Sequence, residues 1–218
     1  MKTMSRREFL RAGVGVAATI SSLEMIGGCA TTETPKVKTL VFPSLPYNKI
    51  QPPQEGCLVG FFIEPEASIA WHANNPRIAA NLRDRFPHPY AIDDAEKWLA
   101  YVQSKEPETH FAIATPSEAI GGIGLELLDD VHYQTAELGY WIDEDYWGKG
   151  IMTAAVTVFT EYAFKNYDFI RIFAAVFDSN PASVRVLEKA GYTFEGRLRR
   201  SVNKNGKILD QLMYAKVK

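Results

Sequence analysis

Apolar positions from residue 57 onward fall into short strand-like runs and helical stripes separated by polar, Gly- or Pro-containing breaks. Cys57 to Ile63, bounded by Gly56 and Pro65, predicts a first strand. Glu66 to Leu82 has helical spacing interrupted at Asn74-Asn75-Pro76. Proline has no backbone donor and disfavours helix in the residue before it, so two short helices are expected. Phe86-Pro87-His88-Pro89-Tyr90 predicts a loop. Ala95, Trp98, Leu99 and Val102 share one face of a helix capped by Asp93 or Asp94 and running to about Ser104. His110 to Ala114 and Ile120 to Leu128 predict a hairpin around Pro116-Ser117-Glu118, and Glu137 to Ile142 a further strand. A long proline-free helix follows from Lys149 to Asn166. The almost wholly apolar run Ile170 to Phe177 fits a strand covered on both faces. Asn180 to Ala190 predicts a helix stopped by Gly191, and Tyr192 to Arg200 and Ile208 to Val217 predict strands flanking the turn Asn205-Gly206. The order β-α-α-β-β-β-α-β-α-β-β predicts a mixed α/β sheet without internal repeats.

Composition narrows this. A chain of 218 residues with 46% hydrophobic content supports one well-buried domain and is short for two. Residues 1–30 carry Lys2, Arg6, Arg7 and Arg11 against Glu8 and Glu24, so the 24 basic and 26 acidic residues of the chain leave 20 and 24 beyond them, a net of −4. A mildly acidic body argues against nucleic acid as the main partner. Two cysteines, Cys29 and Cys57, form neither a disulfide framework nor a zinc site, and His72, His88, His110 and His132 have no metal-ligand spacing, so no metal is expected. No nucleophilic Ser or Cys triad motif is present.

The first 29 residues read as something other than fold. Ser5-Arg6-Arg7-Glu8-Phe9-Leu10-Arg11, followed by a mildly apolar stretch from Ala12 to Gly28, resembles a twin-arginine export signal. Ile26-Gly27-Gly28-Cys29 resembles a lipobox, which would place a lipid anchor at Cys29 and the protein in a bacterial envelope. Residues 30–55, with Pro35, Pro43, Pro46, Pro52 and Pro53, read as a linker, and 56–218 as the folded domain.

The chemistry concentrates after the strand Glu137–Ile142. The sequence Asp143-Glu144-Asp145-Tyr146-Trp147-Gly148-Lys149-Gly150-Ile151-Met152 carries a strand through a glycine-containing turn into a long helix. The first N–H groups of a helix lack internal partners, its dipole favours an anion there, and glycines allow close approach of a ligand. The stretch therefore reads as a pyrophosphate cradle, although it is neither a P-loop nor a complete dinucleotide fingerprint. A second patch, Asp178-Ser179-Asn180-Pro181-Ala182-Ser183, has Asn180 or Ser179 positioned to cap a helix and Pro181 in its first turn.

Taken together, Trp147-Gly148-Lys149-Gly150-Ile151-Met152, Asn180-Pro181-Ala182-Ser183 and Glu188-Lys189-Ala190-Gly191-Tyr192 resemble the GNAT N-acetyltransferases. Asn74-Asn75-Pro76, Asn81-Leu82-Arg83-Asp84 and Phe86 to Tyr90 are similar to the branch that acetylates ribosomal-protein N-termini, the RimJ/RimL-like enzymes. The resemblance spans about residues 56–216. It implies an acyl-CoA N-acyltransferase fold, with a mostly antiparallel twisted sheet of about six to seven strands and about four helices. It further implies acetyl-CoA as cosubstrate, a cytoplasmic metabolite that points to the cytoplasm against the envelope reading of the first 29 residues, with the pyrophosphate on the amides of about Trp147, Gly148, Lys149, Gly150, Ile151 and Met152. The pantetheine would lie in a gap between Glu137–Ile142 and Ile170–Phe177, an N–H near Ile142 would polarise the thioester, and Asn180 would bond the pantetheine.

Direct attack by a neutral amine needs a base and a proton for the thiolate. Glu137 is the candidate base, through a water, and Ser183 the candidate acid. Some relatives place a carboxylate where this chain has Arg200-Ser201-Val202-Asn203, and no acid falls there. His88, Tyr90, Arg83 and Arg85 are candidates for lining the acceptor site, whose ligand is a protein N-terminus or a small amine. A second reading stays open, in which the same fold serves as a non-catalytic acyl-CoA-binding or envelope interaction module.

Overall fold

The computed structural model describes residues 39–41, 65–115 and 118–218. The readings of 1–29 as a signal and of Cys57–Ile63 as a strand lie outside them. Seven strands form one sheet in the order β1-β2-β3-β4-β5-β7-β6. These are β1 (Thr39–Val41), β2 (His110–Ala114), β3 (Ala119–Leu127), β4 (Thr135–Ile142), β5 (Arg171–Phe177), β6 (Thr193–Lys204) and β7 (Lys207–Val217). Five α-helices accompany them among the described residues: α1 (Pro65–Ala73), α2 (Pro76–Ala79), α3 (Ile92–Gln103), α4 (Ile151–Asn166) and α5 (Pro181–Lys189). Pairing is antiparallel except at β1–β2 and β4–β5. The expected mixed, mostly antiparallel sheet is present, with five helices where about four were expected, and the two short helices expected on either side of Asn74-Asn75-Pro76 are α1 and α2. Thr39–Val41, in the stretch read as a linker, adds an edge strand beside β2.

The two faces of the sheet are covered separately. In α4, Ile151, Met152, Ala155, Val156, Phe159, Thr160 and Ala163 recur at helical spacing and are buried. They pack with Phe111, Leu125, Leu138, Ile172 and Leu187 into the larger core. The opposite face carries α1 and α3, through Ile69, Ala70, Ala73, Ala95 and Leu99, with Trp141 and Phe86 against them. The start of α3 corrects one expectation. The helix begins at Ile92, and Asp94 reaches back to accept from the Ala91 N–H at 2.9 Å, so the acid acts from inside the first turn rather than before it.

Helices α1 and α2 are tied to the turn after β4. His72 Nδ1 bonds the Asp143 carboxylate, and Arg77 Nη1 and Asn75 Nδ2 (2.8 Å) both reach Glu144. Burial alone would push the Asp143 carboxyl up, but the bonds from His72 and the Asp145 N–H outweigh it and hold it below its ordinary value.

Candidate functional site

The turn between β4 and α4 is shaped by two left-handed residues, Gly148 (φ 71°) and Gly150 (φ 79°). L-residues disfavour this conformation by about 1–2 kcal/mol, which explains glycine at both positions. A Cβ at either would meet nothing within 4 Å, so the backbone there faces open space. Ala154 N–H is bonded to Gly150 O at 3.1 Å as the first helical hydrogen bond, leaving the amides of Ile151 to Thr153 without intrahelical partners. The amide of Trp147 is different. It donates to Glu144 O at 3.0 Å, while the indole Nε1 donates to Ile142 O at 2.9 Å. The Trp147 amide is thus spent within the turn, although its side chain lines the cavity described below, and the amides that remain for an anion are those of 148–153. The side chains of Ile151 and Met152 are core, and that of Lys149 lies over the Tyr146 ring at 5.3 Å, so at these positions too the backbone is what remains for an anion.

Toward this turn the sheet opens. Strands β4 and β5 pair only at Thr135–Arg171, Ala136–Ile172 and Glu137–Phe173, and then diverge. The β3–β4 register, with Leu128 N–H on Thr135 O and Asp143 N–H on Ile120 O, turns the backbone groups of Leu138, Tyr140 and Ile142 away from β3. Their N–H groups face the gap. A cavity of about 430 Å³ fills it, lined by these residues, Gly148, Gly150, Ala174, Asn180 and Ser183. The gap leads from the cradle to the last β4–β5 pair, at Glu137, and the residues present fit an extended acyl-CoA arm.

Helix α5 supplies the far wall. Asn180 caps it, accepting from Ser183 N–H at 3.1 Å through Oδ1, which leaves its amide NH₂ to donate. Ser183 Oγ lies 2.7 Å from the Tyr140 hydroxyl. Burial pushes the Tyr140 phenol well above its usual range despite the bond from Ser183, so it stays a neutral O–H donor. Tyr140 was not anticipated from sequence. Only the partner across the gap distinguishes it from an ordinary core aromatic.

Side chains alternate along a strand, so Glu137 and Trp141 point to the face opposite Tyr140. There a second cavity of about 680 Å³ runs under the loop at 81–90, with Leu138, Gly139, Tyr140 and Trp141 common to both. Glu137 is mostly buried and bonded by Arg83 Nη2, rather than facing solvent. Tyr90, Arg83 and Arg85 line this cavity; His88 is exposed and does not. The Tyr90 phenol is pushed up to about 12, by burial first and then by Asp94. Glu137 and the Tyr140–Ser183 pair are therefore held on opposite sides of one strand. No carboxylate stands at 200–203, and the nearby Asp210 of β7 accepts from Arg197 Nε at 2.5 Å and from the Arg200 N–H at 2.6 Å. No group of His, Cys, Asp and Glu among the described residues is placed to hold a metal.

The family model of the GNAT acetyltransferase domain matches residues 63–193. A probable N-acetyltransferase of Bacillus subtilis, YjcK, is 40% identical over 122 residues, 54% of this chain and 67% of that protein. The ribosomal-protein-serine acetyltransferase of Escherichia coli is 29% identical over 107 residues, 49% of this chain and 59% of its own length. Such curated relatives are matched over about half to two thirds of their length. Among solved structures, the ribosomal alpha-N-protein acetyltransferase RimL, in complex with coenzyme A, superposes with a TM-score of 0.63 at 20% identity, covering 70% of this chain and 88% of that one. A domain model matching more than half of the chain, on a sheet opened where an acyl-CoA arm fits, establishes that this chain belongs to the GNAT acetyltransferase family.

Proposed function

We propose that the protein transfers the acetyl group of acetyl-CoA to a primary amine by direct attack in a ternary complex. The observation that carries this reading is the opening of β4 from β5 at Glu137, with the two-glycine turn at the far end of the gap. The pyrophosphate would rest on the amides of 148–153 and the pantetheine would bond Asn180 and the open edge of β4. The amine nitrogen attacks the thioester carbon from the second cavity, and N–H groups of β4 receive the developing oxyanion. Glu137 accepts the ammonium proton, directly or through a water, once Arg83 gives way. The C–S bond breaks, and Tyr140, bonded to Ser183, supplies a proton to the thiolate. Ser183 thus acts with Tyr140 rather than alone. Holding the two reactants at one place contributes a large share of the acceleration.

The likeness to a ribosomal-protein-serine acetyltransferase favours a protein N-terminus as acceptor over a small amine. A non-catalytic acyl-CoA binder is the second reading, favoured by Arg83 sitting on the base. Titration of acetyl-CoA into the full chain, followed by release of free CoA thiol with a panel of amines and N-terminal peptides, separates the two. Micromolar binding with turnover supports transfer, binding without turnover supports the binder, and no binding removes both. We also propose that Arg6-Arg7 and Cys29 direct export and lipid anchoring. Fractionation with lipid labelling tests this, and a soluble, unlabelled protein would refute it.

A further inference from the structure

The floor of the second cavity carries an arrangement that the transfer reaction itself does not need. Glu126 and Glu137 are direct cross-strand partners on β3 and β4 and share one face of the sheet. Such partners stand about 5 Å apart, and like charges in that position destabilise a sheet unless something compensates them. Both carboxylates are largely buried, at 27% and 18% exposure. Their compensation comes from the loop above, Arg83 on Glu137 and Arg85 on Glu126, and these guanidinium groups are 51% and 57% exposed. Exposed ion pairs contribute little, so a ligand cation can displace them cheaply. The fit at Glu126 is incomplete. Its Oε1 is buried and receives no properly directed hydrogen bond, although Arg85 Nη2 lies 3.0 Å away. Around it stand aromatic groups: Tyr101 donates to Oε2 at 3.3 Å, and Trp98 packs on Tyr101 and His110 with ring centres 5.5 and 5.4 Å away. Burial first of all holds the His110 imidazole low, against the pull of Glu126, so this neighbour stays neutral and supplies no compensating charge. A half-buried carboxylate with aromatic walls is a cation site. The remaining charged groups lining the cavity, Asp94 and Lys97, come from α3.

Building on the transferase reading, we propose that the acceptor is a primary amine carrying a second cationic group, with the reacting amine at Glu137 and the second cation at Glu126 among Trp98, Tyr101 and His110. In the free protein Arg83 and Arg85 hold the places of the two ligand cations. Two sources share this chemistry: an aliphatic diamine, and a peptide whose N-terminal residue is followed by lysine.

The test is calorimetry on the full chain saturated with CoA. The ligands are 1,4-diaminobutane against n-butylamine, and Ala-Lys amide against Ala-Leu amide. Wild type is expected to bind the dication of at least one pair tenfold or more tightly than its single-charge partner, and Glu126→Gln to abolish that preference. The preferred pair identifies the source. Equal affinities within both pairs in the wild type, or a preference that survives Glu126→Gln, overturns the proposal. Arg85→Met gives a second arm that leaves Glu126 in place: it removes the competing cation and should tighten the dication several-fold, and unchanged or weaker binding counts against the subsite. Because binding is read without turnover, a dication preference with no acetylation refutes the transferase reading and spares the subsite. Acetylation without the preference does the reverse.

Discussion

On the α4 side of β4, the groups offered to a ligand are backbone amides of one continuous stretch, 148–153, with the open edge of β4 beside them. On the other side they are side chains gathered from separate places: Arg83 and Arg85 from a loop, Trp98 and Tyr101 from α3, Glu126 from β3, Glu137 from β4. Every acyl-CoA presents the same pyrophosphate and pantetheine, and backbone groups that tolerate side-chain change suit a constant ligand. Acceptors vary, and a face built of exchangeable charges can change without disturbing the cofactor side. The two faces meet at Gly139 and Tyr140, where the cavities share their lining.

Substitutions on either side should then separate cofactor binding from acceptor chemistry. The largest effect is expected from Gly150→Asp. It forces an L-residue into φ 79° and places a negative charge at the cradle. Strain of about 1–2 kcal/mol and a charge effect of similar size together imply roughly a hundredfold weaker acetyl-CoA binding. Calorimetry showing unchanged affinity would mean that the amides of 148–153 do not hold the pyrophosphate. Next, Glu137→Gln should lower kcat by about a hundredfold or more and leave the Kd for acetyl-CoA unchanged; a matching loss of cofactor affinity would show that the two sides are not independent. Tyr140→Phe and Ser183→Ala should each reduce kcat by roughly tenfold, and the double variant by little more than either one, because one hydrogen-bonded pair is being removed twice. Fully multiplicative losses would assign them separate roles.

Two smaller effects refine the contrast. Tyr90 under the acceptor loop and Tyr192 against α4 both have phenols raised to about 12, in each case by burial first. In the unfolded chain a phenol titrates near 10, so it ionises there while the folded one stays neutral. Stability should be level below about pH 10 and fall as the pH rises to about 12, and denaturant titration across that range measures it. Arg83→Met removes an exposed ion pair and should shift stability by less than about 1 kcal/mol, within a few degrees of melting temperature. A larger loss would mean that the arginine holds the loop in place.

How much could be read in advance differed between the two sides for the same reason. Gly148 and Gly150, the Asn180 cap and the long stripe of α4 are local: turn geometry, capping and helical spacing depend on residues a few positions apart, and all stand where the pattern put them. The exceptions are equally local failures of detail. Asp94 acts from inside the helix, and the Trp147 amide is taken by Glu144, because a short 3₁₀ turn at Glu144–Tyr146 intervenes between strand and glycines. Glu137 was recognisable as a carboxylate beside the gap, but its partner Arg83 lies 54 positions away. The Tyr140–Ser183 bond spans 43 positions, and the Lys204–Asp84 pair that joins the β6–β7 hairpin to the acceptor loop spans 120.

By itself, the sequence determined the element order from Pro65 onward, the glycine turn, the capped helices and the family resemblance, since each follows from short-range sterics and hydrogen bonding or from contiguous motifs. Only the tertiary structure decided that β4 leaves β5 after Glu137, that Tyr140 faces Ser183, and that Glu126 and Glu137 stand side by side under two arginines. Strand register and loop closure bring together residues whose separation along the chain carries no local signal.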